Sequence, residues 1–489
     1  MVFFWGSLAL LLLLGLPRIL AHPDQAMNMP TGAVIISEFG AAGGGPVDEH
    51  GDMPDWIELH NRTLTPVHLQ DWTLTDDPRQ LDKWRISDVM IEPDAYLIVF
   101  ASGRDEDEID EDEPFLHTSF RLSSEGGYLA LLPPTARQFI DGTVFEYPAQ
   151  SPLASYALVQ DEAGRWSPRY LAHPTPGAAN DTSVTWAGIL PPVTFSVPHG
   201  LYDAPLTVAL SSSVADARIV YTTDGSTPSA EQGIPYTQPL EITQTTPLRA
   251  VALLPDYAPS PVMTQSYIFA ASVLQQPVDP QGWPATWGVQ PLNRGPYVVG
   301  EPVLADYAMD ARIIDDPIYG NGLADGLLAL PSVSLVTDMA NLDIYAIPQS
   351  RGREFERPVS IEWIDPAGIG ENDTGDTSDG FQVNAGFRIQ GNAGRLEYIP
   401  KHSFRLFFRQ LYGAAKLDYP LFDDSHITQF ETLTLRSGVN RSFAGDFVDE
   451  AANLDQREKA TYLRDEWTRA SQLAMSGAGS HGRFVHLYI

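Results

Sequence analysis

Residues 383–409 read VNAGFRIQGNAGRLEYIPKHSFRLFFR, a pattern of two alternating arms around a glycine-containing turn. In the first arm Val383, Ala385, Phe387 and Ile389 alternate with Asn384, Gly386, Arg388 and Gln390. In the second, Phe404, Leu406 and Phe408 alternate with Ser403, Arg405, Phe407 and Arg409, with Lys401 in the latter register. Strand side chains alternate between faces, so each arm is expected to bury one row and present Arg388, Gln390, Lys401, Ser403 and Arg405 on the other. Between the arms, Gly391 and Gly394 allow close backbone approach, and Arg395 adds charge. A cationic strand pair beneath such a loop is one way to grip a nucleotide triphosphate. An ordinary two-sided hairpin, its basic residues paired with the chain's many acids, is the alternative.

Working outward, the 489 residues call for three or four domains. Acidic residues number 63 against 30 basic ones, for a formal charge of -33. Sequence-independent binding to nucleic acid or to an anionic membrane needs a basic surface and is disfavoured. Only Lys83, Lys401, Lys416 and Lys459 are lysines, which makes Lys401 conspicuous. There is no cysteine, hence no disulfide, thiolate ligand or thiol nucleophile. Stability must come from apolar cores, which 43% hydrophobic content permits.

The first 21 residues, MVFFWGSLALLLLLGLPRILA, read as a secretory signal cleaved after Ala21, although a basic leading segment is missing. An uncleaved anchor is the competing reading, opposed by Gly15 and Pro17. A secreted or envelope location is therefore expected, with membrane attachment only through this segment if it is retained.

Short alternating runs punctuated by Gly and Pro dominate up to about residue 269, the mark of all-β structure. Residues 33–180 contain AVIISEF, DWIELHN (55–61), LQDWTLTDD (69–77), AYLIVFASG (95–103), FRLSSEGGYLALL (120–132) and PTPGAAN (174–180). In DWIELHN, Trp56, Ile57 and Leu59 fit a buried strand edge, with Asp55, Glu58 and Asn61 at its polar margin. This ordered series resembles the lamin-tail-domain family, which implies an immunoglobulin-like β-sandwich. The acidic run at 105–113 lacks the Asp/Gly spacing of a calcium loop and reads as solvated.

Residues 191–270 centre on YTTDGSTPS (221–229), where Asp224 and Gly225 form a turn signal and the neighbouring hydroxyls can bond the local backbone. With LRAVAL (248–253) this segment resembles the chitobiase/hexosaminidase C-terminal type of β-sandwich, an accessory module in that family. Asp224 reads as a turn former rather than an acid catalyst. Residues 271–329 mix Pro, Gly and Trp without clear periodicity and read as an extended connector.

Residues 330–489 carry LPSVSLVTD, RPVSIEW, GFRIQGNAGR, PKHSFRLFFRQLYG, LDYPLF, LTLRSG and YLRDEW in succession. The series resembles the spore-coat-protein-H (CotH) kinase family, a divergent protein-kinase-like fold. The expected fold is thus multidomain: two all-β immunoglobulin-like sandwiches, then an α+β, partial kinase-like domain. The resemblance implies ATP and magnesium as cofactors and phosphoryl transfer to serine or threonine of a protein partner. Lys401 is then the expected phosphate contact, with Arg388, Arg405 and Gly391 around the nucleotide. Residues 458–474 read as an amphipathic helix, with Leu463, Trp467, Ala470 and Ala474 as its apolar stripe. Glu466 borders that stripe and is expected either to pair with Lys401 or to remain a surface carboxylate, while Asp465 and Arg469 form an i,i+4 pair. Family members continue past a strand like FVHLYI (484–489), so the catalytic aspartate and metal carboxylates are expected beyond Ile489. His402 and His481 show no metal spacing. The alternative function is a non-enzymatic surface protein whose sandwiches bind cell-wall or carbohydrate ligands. A carbohydrate-active enzyme rests only on the accessory module.

Overall fold

Alternation of β-branched and aromatic residues with turn-forming glycines builds a mostly β molecule. The computed structural model describes residues 32–105, 107–108, 115–134, 143–161, 163–289, 298–305, 307–365, 380–395, 401–422, 425–438 and 463–489. The proposed signal and most of the acidic run lie outside the described residues. The chain divides into two units, Met1–Ile189 and Leu190–Ile489.

The first unit is a β-sandwich. Its larger sheet contains β1 (Val34–Gly40), β2 (Asp55–Asn61), β5 (Tyr96–Ala101), β8 (Ser155–Gln160), β9 (Trp166–Leu171) and β10 (Thr185–Trp186). The smaller has β3 (Thr73–Thr75), β4 (Trp84–Arg85), β6 (Gly127–Leu132) and β7 (Val144–Tyr147). Their orders are β10-β9-β8-β1-β2-β5 and β7-β6-β3-β4. Ile36, Phe39, Ile57, Leu59, Leu74, Leu129 and Phe145 meet between the layers. Strand β2 is interior, flanked by β1 and β5, rather than an edge.

That placement corrects the reading of its polar residues, because Asp55, Glu58 and Asn61 are all buried. Asn61 donates through Nδ2 to the carbonyls of Thr65, Ile91 and Glu92, and its Oδ1 accepts from Thr63. Glu58 accepts from Ser37 Oγ at 2.5 Å and from Gly177 N at 2.7 Å. Glu38 on β1 accepts from Ser155 Oγ and from Thr175 N (3.0 Å) and Oγ1 (2.7 Å). The PTPGAAN segment is thus pinned to the sheet by two buried carboxylates, and Asn180 completes the clamp by donating to the carbonyls of Ser37 and Leu158.

The second unit stacks two sheets. One contains β11 (Gly200–Tyr202), β12 (Arg218–Thr222), β13 (Ile234–Pro235), β14 (Thr246–Leu253) and β15 (Met263–Phe269), in the order β11-β15-β14-β12-β13. Short antiparallel pairs, among them Leu206–Val208 with Leu240–Ile242, close a sandwich over Val208, Leu248, Ala250 and Tyr267. The other sheet contains β16 (Ser332–Val336), β17 (Arg357–Ile364), β18 (Gly380–Gln390), β19 (Ser403–Phe407), β20 (Thr432–Leu435) and β21 (His486–Tyr488). Its order is β20-β19-β18-β17-β16-β21, antiparallel except for β16 with β21. Between the sheets' sequences, residues 270–330 form short helices at Ala270–Leu274, Ala311–Ile314 and Leu323–Leu328. The helix read at 458–474 is described as Leu463–Ser476; residues 458–462 lie outside the described residues.

The two faces of the six-stranded sheet differ in chemistry. Leu335, Ile361, Trp363, Phe387, Phe404 and Leu406 form the apolar face. Ser334, Ser360, Glu362 and Asn384 lie on the opposite, polar face, and there the β15 sheet docks. Fully buried Glu362 accepts from Ser266 N at 2.8 Å, from Ser266 Oγ, and pairs with His199 Nδ1 at 2.9 Å. Ser266 and Ser334 share a hydrogen bond of 2.8 Å, and Asn384 donates to the Val262 carbonyl. The TDGSTP turn is part of this seam. Thr227 donates through N and Oγ1 to Asp338, and Arg249 holds the turn by donating to the Gly225 carbonyl at 2.8 Å. Gly225 sits at φ +83°, as the turn requires.

Candidate functional site

The apolar face of the six-stranded sheet forms one wall of a cavity of about 2500 Å³. Phe404, Leu406 and Leu435 line that wall, and the charged side of the helix Leu463–Ser476 borders the cavity through Asp465, Glu466 and Arg469. Lys401 and Arg436 supply cationic groups to the same space. The Lys401 side chain is open to solvent by surface area. It nonetheless sits within the concavity, where surrounding protein displaces water and holds its ammonium below the usual lysine range.

The structure separates the residues grouped by sequence. Lys401 lines the cavity, whereas Arg388, Arg405 and Gly391 do not. The reason is local: alternation holds only within a strand, and β19 begins at Ser403, so Lys401 escapes the register that fixes Arg405. Arg388 and Arg405 face each other across β18 and β19 on the opposite side of the sheet from Phe387, Phe404 and Leu406. Arg388 donates to the Gly352 carbonyl at 2.6 Å, and Arg405 donates to Thr432 Oγ1 at 3.1 Å. Gly391 is exposed at φ +119°, a conformation that favours glycine. Arg395, expected to add charge to the loop, is buried and donates to the carbonyls of Gly391, Pro348 and Ser350. It folds the turn back onto the protein.

Glu466 pairs with Arg469 at 2.6 Å, and Asp465 meets both Arg436 and Arg469 at 3.3 Å. This network turns the helix opposite to the amphipathic expectation: Leu463 and Trp467 are exposed, while Asp465, Glu466 and Arg469 are half-buried. His402 is buried, with its Nδ1 2.7 Å from the Gly394 carbonyl. Arg436, absent from the sequence reading, could have been suspected only from its place just after an apolar strand.

Among the described residues, one group of three side chains has metal-ligand geometry: Asp48, Glu49 and His117 of the first unit, with ligand atoms within 4.8 Å of one another. Arg104 already serves as its cation, 2.9 Å from Asp48 and 3.2 Å from Asp52. His117 is anchored between Ser102 Oγ at 2.9 Å and Glu49 at 3.0 Å. No described helix is long and apolar enough to cross a membrane.

Comparison with known proteins bears on the two N-terminal segments. Residues 28–143 match the family model described as Lamin Tail Domain. Residues 197–264 match that of the Chitobiase/beta-hexosaminidase C-terminal domain. No curated protein matches the chain. The chain therefore carries a lamin-tail sandwich followed by a chitobiase-type sandwich.

Proposed function

We propose that residues 330–489 form a CotH-type, kinase-like nucleotide-binding region, and that the protein is a secreted or envelope kinase acting on serine or threonine of a protein partner. The observation that carries this reading is a lysine, Lys401, lining a large cavity beside the six-stranded sheet, where burial holds its ammonium below the usual lysine range. Phe404 and Leu406 offer an apolar wall on which a base can rest, and Lys401 and Arg436 offer charge for phosphate oxygens. ATP therefore fits the residues present. Magnesium does not: among the described residues, the helix carboxylates Asp465 and Glu466 are engaged by arginines, and Asp224 accepts from Ser226. Lys401 would bind and orient the phosphates, and the apolar wall would exclude water.

Titrating ATP into the full chain tests this reading. Lys401→Ala is expected to weaken binding at least about tenfold, the cost of one charge-assisted contact, while the circular dichroism spectrum stays unchanged. Equal affinities in the two proteins remove Lys401 from the site.

The second reading, a non-enzymatic surface protein that binds cell-wall or carbohydrate ligands, is favoured by the two matched segments, both sandwich modules. Retention of the chain by a cell-wall or glycan matrix, with no ATP signal, is the outcome that selects it.

A further inference from the structure

The polar face of the six-stranded sheet carries a second cationic feature, built from arginines that do not line the cavity. Three guanidinium groups surround the Phe407 ring: Arg388 at 4.6 Å from its centroid, Arg409 at 5.1 Å and Arg405 at 5.6 Å. Arg409 is compensated, bonding buried Glu356 through Nε at 3.0 Å and Nη2 at 3.2 Å. Tyr412 donates to the same carboxylate at 3.4 Å. Arg388 and Arg405 are not compensated, since no described carboxylate forms an ion pair with either. Their acceptors are a neutral carbonyl, Gly352 O, and a neutral hydroxyl, Thr432 Oγ1, and both Nε atoms lack an acceptor.

This arrangement runs against two expectations. Like charges directly opposite on paired strands are destabilising, and Arg388 lies directly opposite Arg405. Moreover, acids outnumber bases 63 to 30 in this chain, so carboxylate partners are abundant in its composition. A guanidinium has five N–H donors, and each of these two arginines spends only one on the protein acceptors just named. Phe407 holds the forks in place through its ring face, which reduces the entropy lost when an anion binds.

We infer that Arg388 and Arg405, seated on Phe407, form an anion site for a phosphate dianion on the sheet face opposite Phe387, Phe404 and Leu406. Two adjacent uncompensated charges call for a group that carries two negative charges on several oxygens. A carboxylate neutralises one guanidinium, whereas a phosphate dianion can bridge both forks. The site does not depend on the nucleotide reading, because neither Arg388 nor Arg405 lines the cavity that Lys401 lines.

Inorganic pyrophosphate titrated calorimetrically into the full chain is the test, with Lys401→Ala as the background that silences the cavity contact. Affinity at the Arg388–Arg405 site is expected to survive in that background. Arg405→Gln and Arg388→Gln are each expected to weaken it at least tenfold, and Arg405→Lys, which keeps the charge but loses the fork, less than Arg405→Gln. Arg405 is the primary variant, since its one bond to the protein named above is to a side-chain hydroxyl, Thr432 Oγ1, whereas Arg388 holds the backbone at Gly352. Citrate in place of pyrophosphate is expected to bind more weakly. Absence of heat at millimolar pyrophosphate overturns the inference, as do loss of binding with Lys401→Ala alone, equal affinities across the Arg405 variants, and tighter binding of citrate.

Discussion

A carboxylate removed from water loses the solvation that favours its charged form, and Glu58 shows how far hydrogen bonds offset that loss. Burial pushes its carboxyl up to about 7, against the lowering effect of Ser37 and Gly177 and with a further rise from neighbouring Glu38. Burial raises Glu38 as well, and Tyr96, which also feels the Glu58 charge, is shifted upward. A carboxyl whose folded value exceeds its unfolded value binds more protons in the folded state. Its stabilisation is full below the unfolded value near 4.5 and is lost as pH rises through about 7. The linkage corresponds to roughly 3 kcal/mol for Glu58. Thermal unfolding of the lamin-tail sandwich is therefore expected at lower temperature at pH 8 than at pH 5, and Glu58→Gln should flatten that dependence. A midpoint equally pH-dependent in the variant would assign the effect elsewhere. Little of this is legible in DWIELHN: its pattern marks Trp56, Ile57 and Leu59 as buried, as they are, but sets Glu58 at a margin. Its burial follows from β2 being an interior strand, and its clamp from PTPGAAN, more than a hundred residues away in sequence.

At the scale of elements, the seam between the β15 sheet and the β17 sheet is built from residues that alternation marks as outward-facing. In the folded unit a second sheet covers Ser266, Ser334 and Glu362, and a single strand's pattern does not show what packs against it. Glu362→Ala would leave the Ser266 donors and His199 without their carboxylate. Removing one member of a buried charged network costs about 3–5 kcal/mol, so chemical denaturation should show a loss of that order, with Glu362→Gln losing less. A loss below 1 kcal/mol would mean that the seam contributes little to the unit. The hairpin was read successfully as a hairpin, with β18 and β19 antiparallel and Phe387 against Phe404 on the core side. Alternation fixes no face for Lys401, which precedes the strand, and the helix's apolar stripe does not mark its inner face, since Leu463 and Trp467 are exposed. There the ion pairs of Asp465 and Glu466, rather than the Leu463–Trp467 stripe, set which side turns inward.

Over the whole molecule, two matched sandwiches and a third sheet follow one another, and the second sandwich shares a unit with that sheet. Composition foretold the β-rich architecture, and the ordered motifs foretold both sandwiches. The docking of the TDGSTP turn onto Asp338 was not foretold, because a turn signal specifies local geometry and not the surface it meets. Composition also sets the chemical background, for only four residues in 489 are lysines. An ammonium held below its usual range releases its proton at lower pH and exposes a nitrogen lone pair, and Lys401 is in that position. Near neutral pH an acylating reagent should therefore modify Lys401 ahead of Lys83 and Lys416, which pair with Asp76 and Glu431, as peptide mass mapping would show, with ATP slowing the modification. The desolvation that holds the Lys401 ammonium below its usual range thus also favours its acylation, and turns the site into its own covalent reporter.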